Sequence, residues 1–421
     1  MALLCIQPSC KNREELLLQE NNAASATPRP RLERNWLKAL LVKRTYKFRL
    51  IRHEIDKPFL VLILVLMVFG IIMMFSASYA RALADMGDGF YYLKRQIKWA
   101  LLGLGVMIVI SMMDYHLFAN TVIAFFAFGL TWFLSLITIF VGTTTADATR
   151  WLDLGPIQVQ PSELMKIGFI IIFAYISSTL FPYFFKWQAS IFPFAIGFAL
   201  SMSVLVAQRH MSAVMIIAII GVVMMYVSGM PKRHFWGFMI FAALMGALLV
   251  GYMISAGDFG YITDRIDSWR DPLSDPRDKT LQTYNSLIAI GSGGIFGLGF
   301  GESRQKYLYL PESQNDFVFS VVCEELGLVG ALTVIMLFVM FILRGFYIAS
   351  RCKDRFGMLL ATGITIQIGT QAFLNIAVAS NAFPNTGISL PFFSYGGSSL
   401  LITLAEVGIL LSISRQSATS K

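Results

Sequence analysis

Pro58-Phe-Leu-Val-Leu-Ile-Leu-Val-Leu-Met-Val-Phe-Gly-Ile-Ile-Met-Met-Phe-Ser-Ala-Ser-Tyr-Ala80 contains no Asp, Glu, Lys or Arg. About 20 apolar residues in helical form span the hydrocarbon of a bilayer, so this stretch predicts a transmembrane helix. Further uncharged stretches run 99–113, 115–146, 167–185, 187–208, 210–231, 234–257, 326–343 and 356–405. Allowing for polar ends, they predict ten helices near 58–79, 97–113, 117–141, 162–181, 189–207, 211–229, 234–256, 316–343, 356–379 and 397–414. The expected fold is an all-α polytopic membrane protein. Its largest loop, 257–315, lies between the seventh and eighth helices and is expected to be ordered.

Composition agrees. Of 421 residues, 56% are hydrophobic and only 14% charged, against about 25% charged in a typical soluble domain. The net charge of +9 is concentrated in the tail, since residues 1–57 hold 12 basic and 6 acidic side chains. A nucleic-acid-binding body is therefore excluded, and a basic cytoplasmic tail is the simpler reading. Within it, Thr27-Pro-Arg-Pro reads as a linker, and Leu37-Lys-Ala-Leu-Leu-Val-Lys-Arg as a basic amphipathic helix for anionic headgroups or for a partner. Met1–Cys10 has no long apolar core, so no signal peptide is expected.

The four cysteines, Cys5, Cys10, Cys323 and Cys352, form no CxxC pair, and the four histidines show no metal spacing. A protein-built zinc site is not expected. The domain plan is a basic tail over 1–56, a membrane body over 57–415 and a short C-terminal tail over 416–421. Ten spans put both termini on one side, and the Lys/Arg distribution makes that side cytoplasmic.

In this topology the fourth, eighth and tenth helices begin outside, and each start is unusually polar. The segments are Gln160-Pro-Ser-Glu, Pro311-Glu-Ser-Gln-Asn-Asp and Leu390-Pro-Phe-Phe-Ser-Tyr-Gly-Gly-Ser-Ser. Helix N-termini expose unpaired N–H groups suited to anionic oxygens, although Pro161 and the Ser/Asp residues also suit ordinary capping. Asp316 stands where the charged loop enters an apolar run. Partial desolvation there would raise its pKa and improve it as a base, although an N-cap role fits the position as well. Glu163 and Lys166 are spaced to pair, and Glu406 lies mid-span, where it must face protein or water. The run Gly291-Ser-Gly-Gly-Ile-Phe-Gly-Leu-Gly-Phe-Gly lacks GxxxxGK[ST] and follows no strand, so it predicts close backbone packing and no nucleotide.

Four segments, taken in order, resemble the SEDS family of polytopic peptidoglycan glycosyltransferases. They are Arg150-Trp…Gly155…Gln160-Pro-Ser-Glu-Leu, Gln282…Ser286-Leu-Ile-Ala-Ile-Gly-Ser-Gly-Gly, Tyr309-Leu-Pro-Glu-Ser-Gln-Asn-Asp-Phe-Val-Phe…Glu324-Glu-Leu-Gly and Pro384-Asn-Thr-Gly-Ile-Ser-Leu-Pro-Phe-Phe-Ser-Tyr-Gly-Gly-Ser-Ser. Gly301-Glu-Ser-Arg-Gln-Lys-Tyr resembles the division and sporulation branch more than the elongation branch. Gln314-Asn315 stand where the family commonly has His-Thr, and Arg209 stands where Pro is usual.

The resemblance implies that Asp316 is the catalytic residue and that the substrate is lipid II, polymerised at the outer face of the cytoplasmic membrane. Arg150, Gln160, Ser162, Glu163, Lys166, Arg270, Lys306 and Ser398 are candidate substrate contacts. A divalent cation, Mg or Mn, is one group that could stabilise the leaving diphosphate. The implied partners are a class B penicillin-binding protein, other division proteins and membrane lipids. The competing classes are a lipid II flippase and a non-catalytic scaffold.

Overall fold

The computed structural model describes residues 36–50, 54–145, 148–153, 155, 158–255, 260–275 and 280–417. Cys5, Cys10, the linker at Thr27, Arg277 and Lys279 lie outside the described residues. The chain divides into two units, 1–41 and 42–421. In the first, the described residues form one short helix, α1 (Trp36–Leu41), which stops before Lys43.

The second unit is a helical bundle. Its long helices are α2 (Lys57–Met86), α3 (Tyr91–Met112), α4 (Thr121–Val141), α5 (Pro161–Leu180), α6 (Trp187–Ala207), α7 (Met211–Val227), α8 (Lys232–Ser255), α11 (Val318–Arg351), α12 (Arg355–Ala379) and α13 (Gly397–Ser417). They occupy the ten predicted positions. Eight of them are long and apolar enough to cross a membrane; α7 is a shorter apolar helix, and α8 runs 24 residues. The protein is a multi-pass membrane protein.

Two features depart from the sequence reading. Between α4 and α5 lies a small antiparallel sheet of β1 (Thr143–Thr145), β2 (Ala148–Asp153) and β3 (Gln158–Val159), in that order, where no strand was expected. The second is the extent of helix within the long loop. It contains the expected amphipathic helix as α10 (Leu281–Ser292), and also α9 (Gly260–Arg270).

The glycine run packs backbone to backbone, as its composition predicts. Inside α11, Gly327 takes φ 65° and ψ −159°, which interrupts the helical hydrogen bonds. The interrupted groups are satisfied by the run itself. Leu298 N and Gly299 N donate to Glu324 O (2.9 Å) and Glu325 O (3.1 Å), while Leu328 N and Val329 N donate to Gly294 O (3.0 Å) and Ile295 O (3.2 Å). The approach leaves no room for side chains: a Cβ on Gly293 would lie 1.9 Å from Cys323 O, and one on Gly327 would lie 2.4 Å from Gly297 N.

The far end of the bundle is closed by ion pairs and hydrogen bonds. Asp56 caps α2 by accepting from Phe59 N (2.9 Å) and receives a two-pronged contact from Arg344 (3.0 and 2.7 Å). Nearby, the Tyr115 hydroxyl donates to Asp354, and His116 and Gln416 contact Asp114 at 2.8 and 2.9 Å. Burial, with Asp354 beside it, pushes the Cys352 thiol up to about 12, so it is unreactive at neutral pH. For Asp114, burial favours the neutral acid, but the bonds from Gln416 and His116 outweigh it and hold the carboxyl below the usual range.

Two outcomes follow for stability, both readable as thermal unfolding in detergent. Gly327→Ala combines a positive φ with a backbone clash and should destabilise the protein by at least about 2 kcal/mol. Because the Asp114 pKa is lowered on folding, its contribution is full above the ordinary carboxylate range and is lost as pH falls through the lowered value. The stability gap between wild type and Asp114→Asn should therefore be constant near neutrality and close only below about pH 4.

Candidate active site

The opposite end of the bundle gathers the end of α2, the starts of α3, α5, α11 and α13, and the end of α12. The chain leaving α12 does not pass over the surface. It turns back along α12, with Ile388 O accepting from Asn375 Nδ2 (2.6 Å) and Ser389 O from Gln371 Nε2 (3.2 Å). It descends until Phe392 O lies 2.3 Å from where a Cβ on Gly70 would stand. Gly70 is 16 residues before the end of α2, a depth of about 24 Å at 1.5 Å per residue. Phe393 packs there against Phe69 and Phe338, with ring centroids 5.4 and 6.1 Å away. The chain then rises past Ser394 to start α13.

This re-entrant segment holds the Asp316 loop. Ser394 Oγ donates to Asn315 O (2.5 Å), and Tyr395 N donates to Gln314 O (2.8 Å). Asn375, fully buried, donates through the same Nδ2 to Asp316 O (2.7 Å) and to Ile388 O. On the other side, Ser313 Oγ donates to Ala77 O (3.1 Å) in α2, and Gln96 Nε2 donates to Ser394 O (3.3 Å) from α3. Ala77 is nine residues before the end of α2, so the loop sits about 13 Å below that end. Asp316 is half-buried and precedes α11 by two residues. It is not the N-cap, which is Phe317.

Glu163 and Lys166 form the expected pair, Nζ to Oε2 2.8 Å, with Lys166 1% exposed. Lys166 Nζ also donates to Gln371 Oε1 (2.6 Å), and Gln371 binds Ser389 of the re-entrant segment. A continuous chain of contacts thus runs from Glu163 through Lys166, Gln371 and the 388–389 backbone to Asn375 and Asp316. Glu406, also fully buried, accepts from Gln367 (2.6 Å) in α12.

The remaining candidates separate. Ser162 is buried in the first turn of α5, and Gln160 is its N-cap without a side-chain capping bond. Ser398 is buried in the first turn of α13. Arg150 lies on β2, and its side chain is outside the description. Arg270 is exposed at the end of α9, whereas Arg265, five residues earlier, donates to Asn385 O (2.5 Å).

Lys306 is 3% exposed, and its ammonium contacts Glu325 Oε1 (2.8 Å), Gly301 O (2.5 Å) and Ser76 Oγ (3.2 Å). It borders a cavity of about 100 Å³ shared with Arg81, Leu310 and Ser313. Its neighbour Glu324 closes the 303–305 turn by accepting from Ser303 Oγ (2.5 Å) and Arg304 N (2.9 Å). Ser320, four residues after Asp316, also has a local partner, Ser286 Oγ at 2.6 Å.

A family model described as cell cycle protein, FtsW/RodA/SpoVE, matches residues 57–419. The chain belongs to that family. Among the curated relatives of this SEDS chain is the "Probable peptidoglycan glycosyltransferase FtsW" of Geobacter sp. (strain M18), 37% identical over 85% of the chain and 96% of the relative. Stage V sporulation protein E of Bacillus subtilis is 36% identical, over 86% and 97%. A chain solved in work on structural coordination of polymerization and crosslinking by a peptidoglycan synthase complex is 26% identical, with TM-score 0.70 over 87% of this chain and 99% of that one. The rod shape determining protein RodA of Thermus thermophilus is 25% identical with TM-score 0.61, over 87% and 98%.

Sequence reasoning missed Asn375 and Gln371, which sit inside the uncharged stretch 356–405, and Gln96, which stands between Arg95 and Lys98 near the start of α3. The available signal was that an uncharged amide in a transmembrane helix needs a partner. Asn375→Ala strips two buried carbonyls of their donor, at about 1–3 kcal/mol each, and releases the Asp316 backbone. The expected result is a folded but less stable protein with polymerising activity reduced about 10²-fold, measured by strand synthesis alongside thermal unfolding.

Proposed function

We propose that this chain polymerises lipid II into glycan strands, with Asp316 as general base. The observation that carries the reading is the half-buried Asp316 at one end of a membrane bundle, its backbone tied by Asn375 to a re-entrant segment. Membership of the FtsW/RodA/SpoVE family and relatives named peptidoglycan glycosyltransferase support the activity.

The chemistry is a displacement. Asp316 takes the proton of an acceptor sugar hydroxyl, the oxygen attacks the anomeric carbon of a second lipid-linked glycan, and undecaprenyl diphosphate leaves. Diphosphate is a good leaving group, so the second carboxylate of a glycosidase is not required. The leaving oxygens need positive charge, and the exposed Arg270 and the N-termini of α5 and α13 are the candidates for it.

No cluster of three His, Cys, Asp or Glu able to hold a metal is present among the described residues. A magnesium or manganese ion fits this site only as one brought with the diphosphate, since such ions are held by one or two carboxylates plus phosphate oxygens. Bound in that way it would supply charge neutralisation, and no step above depends on it.

Both termini are cytoplasmic in this reading, which puts the Asp316 end outside, where the polymer is used. Lys232-Arg233 and the basic 344–355 connection then fall on the cytoplasmic side, as the positive-inside rule requires. A single-span class B penicillin-binding protein is the partner, supported by likeness to a chain of a peptidoglycan synthase complex.

Purified chain with its partner, given lipid II from outside, should make glycan strands. Asp316→Ala and Asp316→Asn should lower the rate about 10²- to 10⁴-fold without loss of fold. Full activity in a folded Asn variant would remove the base, and a protein that moves lipid II without joining it would be a flippase. An unchanged rate under chelation would remove the cation.

A further inference from the structure

The segment ahead of the first membrane helix is bound to the bundle in an unusual way. Residues 42–50, Val-Lys-Arg-Thr-Tyr-Lys-Phe-Arg-Leu, form no helix, and all nine side chains are exposed. The backbone is nevertheless held at two places. Arg44 N donates to Thr121 Oγ1 (2.9 Å), and Arg44 O accepts from Thr121 N (3.3 Å), at the start of α4. Five residues on, Arg49 O accepts from Asp114 N (3.1 Å), and Leu50 bridges Met113 at the end of α3. The segment is a strap across the ends of two adjacent membrane helices.

Tyr46 packs its ring 5.5 Å from that of His116, but the other strap side chains are largely without burial. Phe48 is 61% and Leu50 55% exposed, and Val42 and Tyr46 are also exposed. Lys43, Arg44, Lys47 and Arg49 form no ion pair among the described residues, and the strap contains no Asp or Glu. Aromatic and aliphatic residues alternate with cations from Tyr46 to Leu50. In extended chain that alternation sends rings to one side and charges to the other. Four unpaired cations interleaved with exposed apolar groups, at the level where helices leave the hydrocarbon, match the headgroup layer. Its acyl boundary takes the apolar side chains, and its phosphates take the ammonium and guanidinium groups.

We propose that residues 42–50 are an interfacial strap that binds the headgroups of anionic phospholipids in the surrounding bilayer and anchors the α3–α4 end of the bundle to that leaflet. An acidic protein surface would answer the four charges but would leave Phe48 and Leu50 without an apolar environment. The inference rests on the membrane-spanning fold and is independent of the reaction at Asp316.

The test uses the full chain in lipid nanodiscs without substrate, read by hydrogen exchange at Thr45–Phe48. The backbone N–H groups there make no backbone hydrogen bond among the described residues. In phosphatidylglycerol discs these amides should exchange at least roughly fivefold more slowly than in phosphatidylcholine discs, about the effect of one cation at an anionic surface. Replacing all four cations together (K43Q, R44Q, K47Q, R49Q) should abolish the difference, while F48S with L50S should slow exchange less in both lipids. These side chains are exposed, so the variants should unfold at the wild-type temperature. Equal exchange in the two lipids would overturn the proposal. So would slowing that appears only when a soluble or membrane partner protein is added, because that would make the strap a protein-docking segment.

Discussion

Backbone that is not helical can sit at membrane depth only where protein satisfies its N–H and C=O groups, and residues 380–396 meet that demand some 24 Å below the end of α2. The donors come from side chains inside α12 and α3, where Asn375, Gln371 and Gln96 each reach a carbonyl of the descending or rising limb. Phe392 and Phe393 fill the bottom of the turn. The limb is therefore held from both sides by the helices around it. Because Asn375 spends the same amide on Asp316 O, it ties the depth of the limb to the position of Asp316.

The buried charges serve a related need. Lys306, Glu325 and Ser76 join the long loop to α11 and to α2, each buried and each partnered. Such a group is weak evidence of net stability, since desolvation offsets much of the attraction, but losing one partner is costly. Its effect is on geometry: the loop carrying residues 301–313 has a fixed seat on the same α2 turn whose Ala77 O receives Ser313. Glu163 and Lys166 do the same from α5, through Gln371, for the re-entrant limb. Charges that read individually as candidate substrate contacts thus hold in place the two loops that meet at Asp316.

The bundle was legible because its signal is additive: twenty apolar residues in a row admit few other readings, and all ten helices stand where hydropathy put them. The sheet at 143–159 carried no such signal, since its threonines and short alternations resemble any polar turn. The glycine run was readable as a close approach but not as what it approaches, because Gly327 lies inside an otherwise ordinary helix and only the fold brings it to Gly297. At the site, Asp316 and the Ser394 segment were visible because charge or a dense polar motif interrupts an apolar background. Asn375 and Gln371 were not, since one uncharged amide barely changes the hydropathy of a helix, and its value lies in carbonyls far away in sequence. Arg270 and Lys306 show how little charge alone says about surroundings. Charge alone marked them, while the fold leaves one exposed on α9 and spends the other on Glu325.

The depth of the Asp316 loop connects this construction to the chemistry. A 30-residue helix is about 45 Å long, well beyond a hydrocarbon core of about 30 Å, so part of α2 must stand in the headgroup layer or beyond it. A loop about 13 Å below that end falls near the boundary where lipid phosphates lie. A diphosphate tethered to a long lipid cannot rise far from that boundary, and the sugar it carries extends only a short way outward. An enzyme acting on such a bond must bring its base down to the phosphate, and a base on an unsupported surface loop would sit too high. A re-entrant segment with an internal donor for its exposed carbonyls lets a polar loop be lowered to that level without leaving backbone groups unsatisfied in lipid. Asp316 is recessed for the same reason that Asn375 is buried.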